Sequence, residues 1–213
     1  MDKMITFREL DLTETADVYE RDLVYDFPPD EQKPLAVIAE LIERGRYRAY
    51  GMFERDDLVA YAFFATVPGS RDILIDYLAV RAKFRDRGYG GLCIRLMRAE
   101  FADFDSILFE VESGRSARDR EEWETCQRRL SFYRKNGLDC STVRMRLFRV
   151  DMVVLYLSLR RPPDDERIKF VLNQTYDDFF PDPRQREKIV IETGPIGHPL
   201  NLNQPIYKSI TAK

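Results

Sequence analysis

The amino-acid sequence predicts an α/β fold in which helices flank one mixed sheet, and two observations support this. Strand-like apolar segments alternate along the chain with segments whose apolar residues recur at helical spacing. In addition, the apolar strand "ILIDYLAV" at residues 73–80 is followed by the glycine-rich turn "RDRGYGG" at residues 85–91, a helix and another strand. Such a strand–helix–strand unit is typical of a parallel crossover within a mixed sheet.

The first half of the chain predicts, in order, a strand, two helices and three strands. The first strand lies in "MITFREL", and the first helix in "LTETADVYERDLVYDF", with Thr13 or Thr15 as its N-cap. The second helix lies in "PLAVIAELIERG". Two strands in "YRAYGMFERDDLVAYAFFATV" flank a charged turn near Asp56 and Asp57. The third strand, 73–80, is almost continuously apolar, so we expect it to be buried.

The second half predicts a helix after the glycines, a strand in "SILFEVE" and a helix in "REEWETCQRRLSFYRKNG". A terminal antiparallel pair follows in "CSTVRMRLFRV" and "MVVLYLSL", and a late amphipathic helix in "DDERIKFVLNQTYDDFF". We therefore expect a core domain over residues 1–160 and a C-terminal helical extension over 161–180. Residues 181–213 form a tail that we expect to pack on the core or on a partner subunit.

Composition argues against several classes of function. The net charge of −3, from 34 basic and 37 acidic residues, gives no global reason to expect nucleic-acid binding. The chain lacks an apolar run of membrane-spanning length and an N-terminal signal peptide, so we expect a cytoplasmic protein without a membrane partner. Three scattered cysteines predict reduced thiols, and a single histidine, His198, makes catalytic triads and metal sites improbable.

The glycine-rich turn predicts a phosphate site. The first N–H groups of a helix have no internal partner and carry partial positive charge, which favours phosphate. Gly88 and Gly90 lack side chains, so a diphosphate can approach the backbone, and Arg85 and Arg87 add positive charge at the rim. Neither common nucleotide loop fits: GxxxxGK[ST] is absent, and GxGxxG would require glycine where Cys93 stands.

The string "VRAKFRDRGYGG" resembles the acetyl-coenzyme A signature of the GNAT N-acetyltransferase superfamily, (Gln/Arg)-x-x-Gly-x-(Gly/Ala). Arg85, Gly88 and Gly90 fill its positions. The segment "FYRKNGLDC" is similar to a later signature of the family, a tyrosine four residues before a glycine, which Tyr133 and Gly137 match. The preceding strand, "DYLAV", looks like the fourth strand of that family.

The resemblance covers residues 3–158 in element order and implies a sheet splayed between its fourth and fifth strands, with acyl-CoA in the wedge. Acetyl-CoA is the implied co-substrate, and the implied reaction is transfer of its acetyl group to a primary amine by direct attack in a ternary complex. Backbone groups at the end of the fourth strand would contact pantetheine or the thioester, and the glycine-rich loop would hold the diphosphate. The implied coenzyme-binding residues are Leu78, Ala79, Val80, Arg85, Asp86, Arg87, Gly88, Tyr89, Gly90, Gly91 and Tyr133.

Two acidic residues are candidates for the catalytic base, which must take a proton from the amine. Asp76 interrupts an otherwise apolar face of its strand, and Glu110 lies on the next strand. The alternative is that they form ion pairs with Arg129 or Arg134 or mark a solvent-facing side. Some members of the family carry a glutamate at the position matched here by Leu74, and this departure leaves the base unassigned between the two acids.

Tyr133 is the candidate acid that protonates or orients the leaving thiol, because phenol and thiol have similar pKa values. The alternative is a core aromatic, since Tyr133 shares a helical stripe with Trp123 and Leu130. Cys126 lies on the same stripe. No histidine lies near it to activate the thiol, so we expect a packed cysteine rather than a covalent acyl carrier.

The acceptor is expected to be a small-molecule or peptide amine. The acids Asp26, Asp30 and Glu31 of the link "YDFPPDEQKP", together with those on the strands, predict an acid-rich cleft suited to a cationic acceptor such as a polyamine. Solvated loop acids are the alternative. Two rival functions are a non-catalytic acyl-CoA-binding or interaction module of the same fold and, less favoured, a nucleic-acid-associated protein. A homodimer formed through the tail is also compatible with the sequence.

Overall fold

The computed structural model describes residues 4–194, which divide into two compact units. The first unit comprises residues 4–108 and 158–162, and the second comprises residues 109–157 and 163–194. Over residues 4–194 the chain has a mixed α/β fold with eight strands flanked by helices, which confirms the predicted fold class.

The strands are β1 (Ile5–Glu9), β2 (Tyr47–Glu54), β3 (Asp57–Ala65), β4 (Asp72–Val80), β5 (Ser106–Glu112), β6 (Asp139–Leu147), β7 (Val150–Ser158) and β8 (Ile189–Thr193). The helices are α1 (Leu12–Val18), α2 (Val24–Asp26), α3 (Leu35–Glu43), α4 (Tyr89–Glu100), α5 (Arg120–Lys135), α6 (Asp165–Phe179) and α7 (Pro183–Arg186). A π-helical turn, Tyr19–Leu23, joins α1 to α2, and a 3-10 turn, Ala82–Phe84, follows β4. Every strand and helix expected before residue 180 is present, whereas α7 and β8 were not predicted.

In the first unit, β1, β2, β3 and β4 pair as antiparallel neighbours, and β5 follows β4 in the strand order. Aromatic side chains are buried on both faces of β3. Phe64 contacts Phe101 with ring centroids 4.6 Å apart, whereas its neighbour Phe63 contacts Tyr77 at 6.0 Å. Because successive strand residues point to opposite faces, this unit buries apolar surface on either side of its sheet.

A β-bulge lies in β4 at Asp76. Phe63 pairs with Tyr77 and Phe64 with Ile75, so Asp76 is the extra residue on its strand. A bulge of this kind interrupts the alternation of side chains and re-aims the residue at its centre. The uninterrupted alternation by which the sequence analysis placed Asp76 on a face with apolar neighbours is therefore wrong at this position.

The N-cap of the first helix lies two residues before Thr13 and four before Thr15, the two caps predicted from the sequence. Asp11 is the N-cap: its side chain accepts a hydrogen bond from the Glu14 N–H at 2.8 Å, and the Glu14 side chain accepts from the Asp11 N–H at 3.2 Å. This reciprocal pair is a capping box. Thr15 instead donates its hydroxyl to the Asp11 carbonyl at 2.7 Å, and neither Thr13 nor Thr15 caps the helix.

In the second unit the strand order is β5-β7-β6-β8, and β6 pairs antiparallel with both β7 and β8. Strand β8 comes from the segment that the sequence analysis assigned to the tail. Apolar residues on one side of α6, among them Ile168 and Leu172, are fully buried. Residues 195–213 of the expected tail, including His198, lie outside the described residues.

The three cysteines are free thiols, with Cys93 and Cys126 buried and Cys140 exposed. Between residues 4 and 194, no group of three or more His, Cys, Asp or Glu side chains has the arrangement of a metal site. Within the same range, no helix combines the length and apolar character needed to cross a membrane.

Candidate active site

The predicted coenzyme contacts begin at the C-terminal end of β4. Leu78, Ala79 and Val80 pair with β3 along one edge, and all three are half-buried, although most of the strand before them is buried. The Val80 carbonyl accepts a hydrogen bond from Nε of Arg85 at 2.9 Å. The strand therefore ends in a short loop whose base is bridged by one of the signature residues.

The apex of this loop is exposed and contains two residues with positive φ. Gly88 has φ +81° and is the N-cap of α4. A Cβ at Gly88 would meet nothing within 4 Å, so the backbone conformation, and not crowding, makes glycine the preferred residue there. Asp86 has φ +59°, a region that aspartate tolerates better than most residues. Arg87 lies between them and is exposed.

Aromatic residues anchor the loop from the inside. Phe84 and Tyr89 are buried, with ring centroids 5.8 Å apart, and the Tyr89 hydroxyl donates to Oε2 of Glu54 at 2.9 Å. The side chain of Tyr89 thus has a packing role. The first bond within α4 runs from the Leu92 N–H to the Gly88 carbonyl at 3.1 Å.

The N–H groups of Gly90 and Gly91 precede that first bond and belong to the first turn of α4. Both glycines are partly exposed. They therefore offer backbone donors at the positive end of the helix without side chains in the way. The diphosphate that the sequence analysis expects at these donors stays a prediction.

The Arg85 side chain, which is 52% exposed, is engaged by other groups of this chain, and its expected contact with a diphosphate stays a prediction. Its guanidinium donates to Oδ1 of Asp26 at 2.7 Å as well as to the Val80 carbonyl. Asp26 in turn accepts a hydrogen bond from the Tyr61 hydroxyl at 3.0 Å. The Arg85 side chain therefore braces the loop, and Arg87 supplies the exposed positive charge at the apex.

Asp76 is held by a cation and a phenol. The Lys33 ammonium donates to both carboxylate oxygens at 2.8 Å, and the Tyr47 hydroxyl also donates to the carboxylate. The Asp76 side chain is 11% exposed and that of Lys33 is 16% exposed. Burial, reinforced by the charge of Asp76, raises the pKa of Tyr47 well above its ordinary value. The pairing partner, Lys33, was not singled out from the sequence.

Glu110 lies on β5, in the second unit, where it is half-buried. Its Oε2 accepts a hydrogen bond from the Tyr176 hydroxyl at 2.8 Å, and Tyr176 lies on α6 and is buried. The periodicity of α6 could have identified Tyr176 as an inward-facing residue, but it gave no sign that the phenol would meet a candidate base.

Tyr133 lies near the end of α5 and is half-buried. Its ring packs against Phe109 of β5 and against Phe132, with centroids 5.3 Å apart in both cases. The aromatic packing expected under the alternative is therefore present. It orients the ring and leaves the proposed role of the hydroxyl as a prediction.

Solved structures match the chain, whereas no protein-family model and no curated protein sequence does. A protein from Bacteroides thetaiotaomicron described as a GNAT-family acetyltransferase is 19% identical, with 78% of this chain and 93% of that one covered and a TM-score of 0.61. The ribosomal-protein-S18-alanine N-acetyltransferase of Escherichia coli is 17% identical, with 75% and 97% covered and a TM-score of 0.55. The Vibrio cholerae spermidine N-acetyltransferase, solved with CoA and spermine, is 10% identical, with 75% and 98% covered and a TM-score of 0.54.

The chain has the GNAT acetyltransferase fold. This identification confirms the resemblance that the sequence signatures indicated at the level of architecture. Two sequence signatures carried that resemblance. The first lies in the loop after β4, which ends at the N-cap of α4, and the second includes Tyr133 of α5.

Four of the six acids expected to form an acid-rich cleft accept from donors of this chain. Asp26 and Asp76 lie in ion pairs, Glu110 accepts from a phenol, and Glu112 accepts from the Cys126 thiol at 3.3 Å. Asp30 and Glu31 are exposed. The described carboxylates therefore give little reason to prefer a multiply charged acceptor.

The Cys126 thiol is buried and hydrogen-bonded to Glu112. Burial, followed by that hydrogen bond, raises its pKa to about 11. A thiol with a raised pKa is protonated at neutral pH and is a poor nucleophile. This environment favours the packed cysteine that the sequence analysis expected.

Proposed function

We propose that the protein is an acetyl-CoA-dependent N-acetyltransferase that transfers an acetyl group to a primary amine. The loop of residues 85–91 on the GNAT fold carries the proposal. It combines a left-handed glycine, two further glycines in the first turn of α4 and anchors that hold its exposed apex in place. A tight turn without a ligand accounts for Gly88 through its positive φ but not for Gly90 and Gly91, which lie inside α4.

The proposed binding mode follows from the backbone. The N–H groups of Gly90 and Gly91 would bind the diphosphate with help from the partial charge of α4. The strand end Leu78–Val80 would bind pantetheine through backbone hydrogen bonds, as an added strand would. Bound acetyl-CoA would supply a thioester carbon for attack by the amine.

Proton transfer would involve Tyr133 and Glu110. During the reaction a C–N bond forms and the C–S bond breaks. The amine must lose a proton and the sulfur must gain one. We assign the first proton to Glu110, because both oxygens of Asp76 already accept from Lys33. Tyr133 would return a proton to the leaving thiolate.

The acceptor would be a primary amine on a small molecule or a peptide. Two proteins of similar fold illustrate the range: one is named for the alanine of ribosomal protein S18, and another was solved with spermine. Most of the described carboxylates that were expected in the cleft already accept from donors of this chain. We therefore expect an acceptor with one amine rather than a polycation. Assembly of two subunits is compatible with this proposal.

Thermal unfolding with and without acetyl-CoA tests coenzyme binding directly. A ligand present at about 100 times its Kd stabilises a protein by about 2.7 kcal/mol, which for this size corresponds to a rise in Tm of roughly 5 to 10 °C. Gly90→Glu would place a carboxylate in the diphosphate site and abolish the rise. Ala99→Glu puts the same group on the exposed last turn of α4 and should leave the rise intact.

CoA release with a panel of amines then tests turnover. Release that depends on an amine, from wild type and Ala99→Glu but not from Gly90→Glu, would support the proposal. Protection by acetyl-CoA without release on any amine would favour the non-catalytic acyl-CoA-binding module. No protection at all would overturn both assignments.

A further inference from the structure

Two parallel ion pairs tie the chain between β4 and α4 to the first helical segment. Nε of Arg81 lies 2.6 Å from Oδ1 of Asp22, and Nη2 of Arg85 lies 2.7 Å from Oδ1 of Asp26. The two acids are four residues apart, as are the two arginines. The π-helical turn Tyr19–Leu23 lies at the start of the acidic segment, and such turns are frequent at functional sites.

The two pairs have acids of similar burial, and each arginine also donates to a backbone carbonyl, Arg81 to that of Leu58 at 3.3 Å and Arg85 to that of Val80 at 2.9 Å. The Asp22 side chain is 12% exposed and that of Asp26 is 13% exposed. Asp26 also accepts from the Tyr61 hydroxyl at 3.0 Å, and Tyr61 is fully buried. Burial and the charge of Asp26 raise the pKa of Tyr61, so the phenol remains a donor. The Tyr61 hydroxyl thus holds one oxygen of the Asp26 carboxylate, and the other oxygen accepts from Arg85.

Arg85 uses one guanidinium to join two groups. Its Nη2 binds Asp26 while its Nε binds the Val80 carbonyl at 2.9 Å. The planar fork of arginine can span a carboxylate and a carbonyl at once, which the single ammonium of lysine does poorly. Since Val80 is the last residue of β4, this bridge closes the loop across its base.

We infer that Asp26 is a positioning residue for acetyl-CoA binding: it holds Arg85 across the base of the loop and so fixes the apex, residues 86–88, before coenzyme arrives. The inference rests on the proposed function. A loop ordered in the free protein loses less conformational freedom when it binds, and the affinity is correspondingly higher. Asp26 lies on α2, well before the signature in the sequence, and no motif includes it.

Calorimetric titration with acetyl-CoA of two matched variants tests this role. Asp26→Asn removes the charge that directs Arg85 and should raise the Kd roughly five- to tenfold. Asp22→Asn breaks the neighbouring pair, whose acid is buried to a similar degree, and should leave the Kd within about twofold. Both variants are expected to lower the Tm of the free protein, so Tm reports the structural contribution of each pair.

Arg85→Lys provides a second route to the same result. It keeps the positive charge but loses the bridge, so we expect the same rise in the Kd for acetyl-CoA. Because the two residues act through one contact, the double variant Asp26→Asn/Arg85→Lys should have a Kd no higher than that of either single variant. In both single variants the KM for acetyl-CoA should rise in parallel with the Kd, which a purely structural role of the pair would not produce.

A lowered Tm with an unchanged Kd for Asp26→Asn would overturn the inference, as would an equal rise in Kd for Asp22→Asn. Additive losses in the double variant would also overturn it, because they would mean that the two residues act separately. If wild type fails to bind acetyl-CoA, the proposed function fails and this inference fails with it. If wild type and Asp26→Asn bind equally well, only this inference fails.

Discussion

Asp76 and Glu110 are strand carboxylates of the same kind in sequence, and the structure places Asp76 in a buried ion pair and Glu110 beside a phenol. Asp76 accepts two hydrogen bonds from an ammonium and another from a phenol. Glu110 accepts a hydrogen bond from a phenol, the Tyr176 hydroxyl. A carboxylate that neutralises a buried cation can take a substrate proton only by giving up that pair. The ion pair with Lys33 therefore marks Asp76 as a structural acid, and Glu110 is the acid that we propose as the base.

The ion pair of Asp76 anchors the link between α2 and α3. Lys33 also donates its backbone N–H to the Tyr77 hydroxyl at 2.9 Å, and that hydroxyl donates to the Glu31 carbonyl at 2.7 Å. Gln32 donates its side-chain amide to the carbonyl of Phe27 at 2.7 Å. The link is thus fixed to β4 mainly through Asp76 and Tyr77, which explains a charged residue at a bulge in a buried strand.

Removing the charge of Asp76 should give the largest effect on stability. Asp76→Asn leaves the Lys33 ammonium buried without its counter-charge, and breaking a buried pair in this way costs about 3 kcal/mol. Urea denaturation at neutral pH measures the free energy of unfolding. The double variant Lys33→Met/Asp76→Leu should recover most of the loss, because it removes both charges. A loss below about 1 kcal/mol for Asp76→Asn would contradict the structural role assigned here.

Removing the charge of Glu110 should instead affect catalysis. Under the proposed function, Glu110→Gln cannot accept the amine proton, and kcat should fall about 100-fold, while the free energy of unfolding changes by about 1 kcal/mol or less. Steady-state kinetics with the best amine of the panel measures kcat. An equal loss of kcat in a surface variant of matched stability would show that the effect of Glu110→Gln is not catalytic. A loss of kcat in Asp76→Asn alone would make Asp76, and not Glu110, the base.

Much of the fold was predictable because its signals are local. Helical spacing located α3 to α6, and apolar runs located β4 and β5 nearly to the residue. The short edge strand β8 was missed, since five residues in a segment rich in proline and charge carry no periodic signal. Its pairing with β6 depends on tertiary contacts that no local pattern reports.

The site was predictable where function demands a special backbone and unpredictable where it depends on distant partners. Gly88, in the loop after β4, stands out in the sequence because its positive φ favours glycine. Lys33 meets Asp76 across 43 positions of sequence, and the bulge that re-aims Asp76 arises from the register with β3. Neither residue spacing nor composition predicts contacts between residues so far apart in sequence. The direction of the Arg85 side chain and the ion pair of Asp76 could therefore be seen only in the structure.

The phenols that donate to the two acids allow a matched comparison in which the expected effects are smaller. Tyr47→Phe and Tyr176→Phe each remove one hydroxyl from a buried ring and leave the acid with one donor fewer, which should cost about 1 to 2 kcal/mol in both cases. Only Tyr176→Phe should change the pH dependence of kcat, because only Glu110 is assigned to proton transfer. Identical pH profiles for both variants and wild type would weaken the case for Glu110.

The smallest expected effect concerns alkaline pH and the Tyr47 phenol. Burial, with the charge of Asp76, raises the pKa of Tyr47 in the folded protein, whereas in the unfolded chain a tyrosine loses its proton near pH 10. The stability that Tyr47 contributes is therefore complete below about pH 10 and declines above it, by up to about 1.4 kcal/mol for each pH unit. Tyr47→Phe should lose about that much less between pH 10 and pH 11 than wild type does, as urea denaturation at the two pH values would show. An unchanged slope would mean that this phenol ionises as freely in the folded protein as in the unfolded chain, and that Asp76 and its surroundings are more hydrated than their burial indicates.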